Sequence, residues 1–130
     1  MYKRLFNETI IKKFTKKQAL GYIKLNISKQ NVVFGIRGDD FYPSTKFRKS
    51  WNRPDGEKTT RLNGVSCMLV AQYNSWDDYP ESIDKEVKNA KRYGQHIFLL
   101  QGTSFFYGND EYDGLQEIII RDHKIICEII

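Results

Sequence analysis

No apolar run in this 130-residue chain is longer than a strand, and that constrains its fold more than any other feature. The apolar residues come in short, mostly β-branched runs, such as Val32–Ile36, Ile97–Leu100 and Ile118–Ile120. None approaches the roughly 18 residues a membrane helix needs. Only two stretches place apolar residues at helical spacing. With 40% hydrophobic and 14% aromatic residues the chain lies far from the composition of disorder. The length suits one domain, 1–130, large enough to bury a core without staples.

The first helical stretch opens on Thr15-Lys16-Lys17-Gln18, a capping box in which the hydroxyl accepts from the third amide and Gln18 reaches back. Ala19, Leu20, Ile23 and Ile27 follow on one face, giving a helix from about Lys16 to Ser28. Glu8–Phe14 ahead of it fits strand or helix. Asn31–Arg37 is a buried strand ended by Gly38, and Leu62–Gln72 recovers strand character after a long irregular stretch from Asp39 to Arg61. Asp77-Asp78-Tyr79-Pro80-Glu81 has the acids and proline of a helix start; Ile83, Val87 and Ala90 form its apolar stripe, and Gly94 is expected as a left-handed stop. His96–Leu100 is a strand, Gly102–Gly114 a Gly/Asn/Asp loop, and Leu115–Ile120 with Lys124–Ile130 a hairpin. The expected class is α+β, with a mixed or antiparallel sheet and two main helices.

Charge is divided unevenly along the chain. Residues 1–30 carry eight Lys/Arg against one acid, residues 31–62 seven against four, and residues 63–130 six against eleven, which sums to the net +5. A basic front half points to an anionic partner. The start of the chain has no apolar stretch followed by a small-residue cleavage site, so a cytoplasmic protein is expected, with Cys67 and Cys127 reduced and buried. His96 and His123 are the only histidines and lie in no ligand spacing, so no metal site is expected. No serine has a nucleophile-elbow pattern, and neither Gly35–Gly38 nor Gly102–Gly114 matches a P-loop or dinucleotide fingerprint.

Three polar residues remain. Arg37, before Gly38 at a strand end, can fork onto a phosphate or carboxylate, or simply pair with Asp39 or Asp40. Ser66, in Leu62-Asn63-Gly64-Val65-Ser66-Cys67, can meet a ligand or satisfy a nearby backbone group. Glu117 stands at the mouth of the Ile118–Ile120 run, partly desolvated, or paired with Arg121 or Lys124.

In this order the three resemble the Arg-Ser-Glu class of ADP-ribosyltransferases, across roughly Val32 to Ile120. The resemblance implies an ADP-ribosyltransferase-like fold and NAD as the ligand. Arg37, with Gly38, would grip phosphate or ribose, and Ser66 would support the nicotinamide pocket. Glu117 would be the catalytic carboxylate that stabilises an oxocarbenium-like transition state. Where the family usually has Ser-Thr-Ser, the corresponding stretch of this chain is Gly64-Val65-Ser66-Cys67. Where it usually has Glu or Gln two residues before the catalytic Glu, this chain has Leu115.

A rival reading rests on the segment with Tyr42, Lys46, Phe47, Arg48, Lys49, Trp51 and Arg53. Cations interleaved with rings suit phosphates and stacked bases, so this would be a non-enzymatic protein binding nucleic acid or a nucleoprotein complex. A third reading makes Phe105-Phe106-Tyr107 the anchor of a protein-interaction module.

Overall fold

The structure, a computed structural model, describes residues 11–43, 47, 64–72, 81–112 and 115–130. Its elements in chain order are β1 (Lys13–Phe14), α1 (Lys16–Asn26), β2 (Val33–Asp39), β3 (Val65–Gln72), α2 (Asp84–Ala90), β4 (His96–Gly102), β5 (Ser104–Tyr112), β6 (Leu115–Arg121) and β7 (Lys124–Ile129). The seven strands form one sheet in the order β1-β7-β4-β2-β3-β6-β5. Only β1–β7 is parallel, so the sheet is mixed and the class is α+β.

The capping box at α1 forms as its residue types dictate. Gln18 N donates to Thr15 Oγ1 at 3.2 Å, and Thr15 N donates to Gln18 Oε1 at 2.9 Å. Ala19, Ile23 and Ile27 then face the sheet, where Phe34, Ile36 and Leu99 meet them. The stripe Ile83, Val87 and Ala90 of α2 joins the same cluster. Strand alternation sends Val33, Val65, Cys67, Phe98, Leu100 and Ile118 to the opposite face, which Phe47 closes.

Three local expectations are corrected. Gly102–Gly114 is not a loop: Ser104–Tyr112 is β5, the outer strand of the sheet. Turn-type residues are tolerated there because the strand has a ladder on one side only, and a register shift between Tyr107 and Glu111 absorbs the irregular segment. The second helix starts at Asp84, whose N–H donates to Ser82 Oγ at 3.0 Å, so Glu81 precedes it; Asp77–Pro80 lie outside the described residues. Gly94 does not act through a left-handed backbone. A Cβ there would lie 2.2 Å from the Asp39 carbonyl carbon, so the requirement is close approach of two backbones. The left-handed positions are Asn31, with φ 57°, ahead of β2, and Asp122, with φ 50°, in the β6–β7 turn.

Both cysteines are free and buried. Burial pushes both thiols up to about 12, which keeps them protonated at neutral pH. Among the described residues no helix is long and apolar enough to cross a membrane.

Candidate functional site at the parting of β2 and β3

Arg37, Ser66 and Glu117 stand on three neighbouring strands, β2, β3 and β6. The β2–β3 ladder runs from Val33↔Gln72 to Ile36↔Met68, and there it stops. Beyond it Arg37, Gly38 and Asp39 pair with Phe98, Ile97 and His96 of β4, while Val65, Ser66 and Cys67 pair with Ile120, Ile119 and Ile118 of β6. The two strands therefore part at Arg37. Its guanidinium crosses the parting: Nη1 donates to the Ser66 carbonyl oxygen at 2.8 Å, and Nη2 meets Asp39 Oδ2 at 3.2 Å.

The other half of the site is a hydroxyl–carboxylate pair, in which Ser66 Oγ donates to Glu117 Oε2. Glu117 is Met68's cross-strand partner, and Met68 is Ile36's, so this pair lies on the helix-covered face. Arg37 leaves β2 from the opposite face, with its guanidinium carbon 4.9 Å from the centre of the Phe47 ring. The Ser66 peptide thus joins two sides of the sheet, with cation on one and carboxylate on the other. Glu117 is 6% exposed. Gly108 of β5 leaves room for it, since a Cβ there would come within 2.2 Å of Glu117 Oε1. The Arg121 guanidinium lies over the Phe106 ring at 5.1 Å.

Gly38 is packed beneath α2: a Cβ would lie 1.9 Å from the Ala90 carbonyl oxygen. Its place in the fold is set by that helix. Tyr42 and Phe47 turn inward. Tyr42 Oη donates to Glu128 Oε1, its ring lies 4.4 Å from that of His96, and Phe47 packs 5.2 Å from Phe98. The Phe47 amide donates to His123 Nε2 at 3.0 Å. Lys46, Arg48, Lys49, Trp51 and Arg53 lie outside the described residues. Among the described residues no group of three or more His, Cys, Asp or Glu side chains is placed to hold a metal ion.

Sequence reasoning missed two polar groupings. The first joins Tyr42, Glu128 and His96, whose Nδ1 lies 2.9 Å from Glu128 Oε2. A lone acid inside Ile126-Cys127-Glu128-Ile129 was its only signal. The second is on α2, where Glu86 and Asn89 are buried beside the apolar stripe. Among the described residues Glu86 Oε2 and Asn89 Nδ2 have no hydrogen-bond partner. Desolvation raises the Glu86 carboxyl above its ordinary value.

The raised Glu86 carboxyl has a consequence for stability. A group with a raised folded-state pKa contributes stability that is present below its unfolded value and lost as pH rises through the folded value. Glu86→Gln removes that titration. Urea unfolding at pH 4 and pH 8 is therefore expected to show a smaller loss of stability with rising pH in the variant than in wild type. Equal losses in the two proteins would rule out a strained carboxylate at this site.

Comparison of the chain with protein-family models, with curated proteins and with solved structures finds no match.

Proposed function

We propose that the chain binds a nicotinamide dinucleotide, or a related nucleotide, at the parting of β2 and β3, in the manner of an Arg-Ser-Glu ADP-ribosyltransferase. The observation that carries this reading is the continuous link from Arg37 through the Ser66 peptide and hydroxyl to Glu117, across three adjacent strands. Three residues 29 and 51 positions apart meet without any local sequence reason to do so. In this reading the bond between ribose C1′ and the nicotinamide nitrogen breaks, and nicotinamide leaves with the bonding electrons. Water or an acceptor group then bonds to C1′ and loses its proton. In this reading Glu117, held by Ser66, supplies negative charge beside the cationic sugar in the transition state, and Arg37, on the other face of the sheet, holds the Ser66 peptide in place.

The test is calorimetric titration with NAD beside a nicotinamide-release assay. Glu117→Gln keeps the shape of the side chain and removes its charge. It is expected to retain NAD binding and lose about 10²–10³ in turnover, a typical loss for one electrostatic group in a preorganised site. Arg37→Lys is expected to weaken binding, because a point charge cannot keep the forked contacts. The reading fails if wild type neither binds NAD nor releases nicotinamide.

The competing reading, a basic surface for nucleic acid, is favoured by Lys12, Lys13, Lys16, Lys17 and Lys24, all exposed. It would instead give RNA or DNA binding that falls steeply with salt.

A further inference from the structure

The rings that the sequence offers for stacking are not the ones the fold leaves in solvent. Tyr42 packs against His96 at 4.4 Å and Phe47 against Phe98 at 5.2 Å, so both are committed to the sheet. Phe41 and Tyr93 are instead 79% and 52% exposed. A single exposed ring needs no explanation, but two on touching segments mark an interaction surface.

Backbone contacts set these two residues at one end of the sheet. Asp39, the last residue of β2, is the cross-strand partner of His96, the first of β4. Beyond that pair the two segments stay together. Gln95 N donates to Asp40 Oδ1 at 3.1 Å, and a Cβ on Gly94 would lie 2.5 Å from Asp40 N. Phe41 N donates to Asp39 Oδ1 at 3.1 Å, which turns the chain out of the strand at that point. Phe41 thus follows one side of the contact and Tyr93 precedes the other.

Cations stand beside them. The Tyr93 N–H donates to Ala90 O at 3.0 Å in the turn that closes α2. Lys88 and Lys91 belong to that end of the helix, three residues apart and therefore on one flank. Both are exposed, and neither forms an ion pair with a described residue. The two carboxylates on the facing segment are already engaged, Asp39 by Arg37 and Asp40 by the Gln95 amide.

Lysines beside exposed rings fit a chain of phosphates whose bases have free faces. We propose that Phe41 and Tyr93 stack bases, and Lys88 and Lys91 hold phosphates, of a single-stranded nucleic acid, RNA or DNA. A duplex covers the faces of its bases and offers these rings nothing to stack on. This rests on the nucleic-acid reading above, to which it gives a site, and is independent of the nucleotide reading.

The experiment is fluorescence anisotropy on the full chain at several salt concentrations. The labelled probes are an oligouridylate, an oligothymidylate of equal length, and the duplex of the latter with oligodeoxyadenylate. Wild type is expected to bind at least one single strand more tightly than the duplex. Phe41→Ala and Tyr93→Ala are each expected to weaken that binding about tenfold and leave its salt dependence unchanged, the mark of a lost stacking contact. Lys88→Gln and Lys91→Gln are each expected to reduce the slope of log affinity against log salt by about 0.7. Tyr107→Ala is the control: Tyr107 is 62% exposed but lies on β5, at the far edge of the sheet, and its variant is expected to bind as wild type does. If single strands bind and the two ring variants match wild type, the inference is overturned and the nucleic-acid reading stands. If no probe binds, that reading falls and the inference with it. Binding to phosphatidylserine vesicles in place of the oligonucleotides would reassign the surface to an anionic lipid and overturn both.

Discussion

Replacing Phe98 with alanine is expected to cost about 3–5 kcal/mol of stability, the range for deleting a fully buried aromatic ring. Phe98 is 0% exposed and sits in the middle of β4, between Arg37 on β2 and Glu128 on β7. Phe47 packs against it at 5.2 Å and Tyr42 at 5.8 Å, both nearly perpendicular to its ring. The loss therefore combines a cavity with the release of the two residues that cover this face. It also loosens the Phe47 ring that supports the Arg37 guanidinium, so the Arg37–Ser66 contact should weaken along with the lower stability. Urea unfolding checks the first part. A loss below about 1.5 kcal/mol would show that the face collapses to fill the cavity.

A single methyl group at Gly38 should do comparable damage, on the order of 3 kcal/mol or more. The added carbon would meet the Ala90 carbonyl oxygen at 1.9 Å and its carbon at 2.8 Å. Both are backbone atoms, so no side chain can swing aside. Either the end of β2 or the end of α2 must move. Arg37 is the next residue, so the Ser66 contact should move with it. Gly21 is the matched control: it lies within α1, and a Cβ there meets nothing within 4 Å. Gly21→Ala is expected to stabilise the protein by roughly 0.5–1 kcal/mol through helix propensity. Thermal melts of the two variants in opposite directions would confirm that contact at Gly38 decides the effect. A Gly38→Ala protein as stable as wild type would show that α2 is free to lift from β2.

The elements that were legible in advance share a property: their signals are local. The capping box of Thr15 and Gln18, the stripe Ile83, Val87 and Ala90, and the Val32–Ile36 run report on neighbours a few residues away. β5 was illegible because Gly108, Asn109 and Asp110 carry turn propensity, and pairing with β6 overrode it. At Gly94 the local sequence suggests backbone freedom, although packing against Asp39 is what requires a glycine. Nor could composition show that Tyr42 and Phe47 turn inward, since aromatics among lysines fit a stacking surface equally well.

For the site, the chain alone nominates Arg37, Ser66 and Glu117 as residue types in order, and the short-range grammar of α1, β2 and β4. Which strands become neighbours is settled by long-range burial: β3 pairs with β6 across more than forty residues, and β2 leaves β3 at Ile36 to continue with β4. That departure puts a guanidinium against the Ser66 carbonyl and a hydroxyl against a carboxylate. Hydrogen bonds between distant strands leave no periodic trace in the sequence, because their partners are chosen by the whole sheet. Glu86 and Asn89 illustrate the same limit, since only the packing of α2 reveals that two ordinary polar residues are buried side by side.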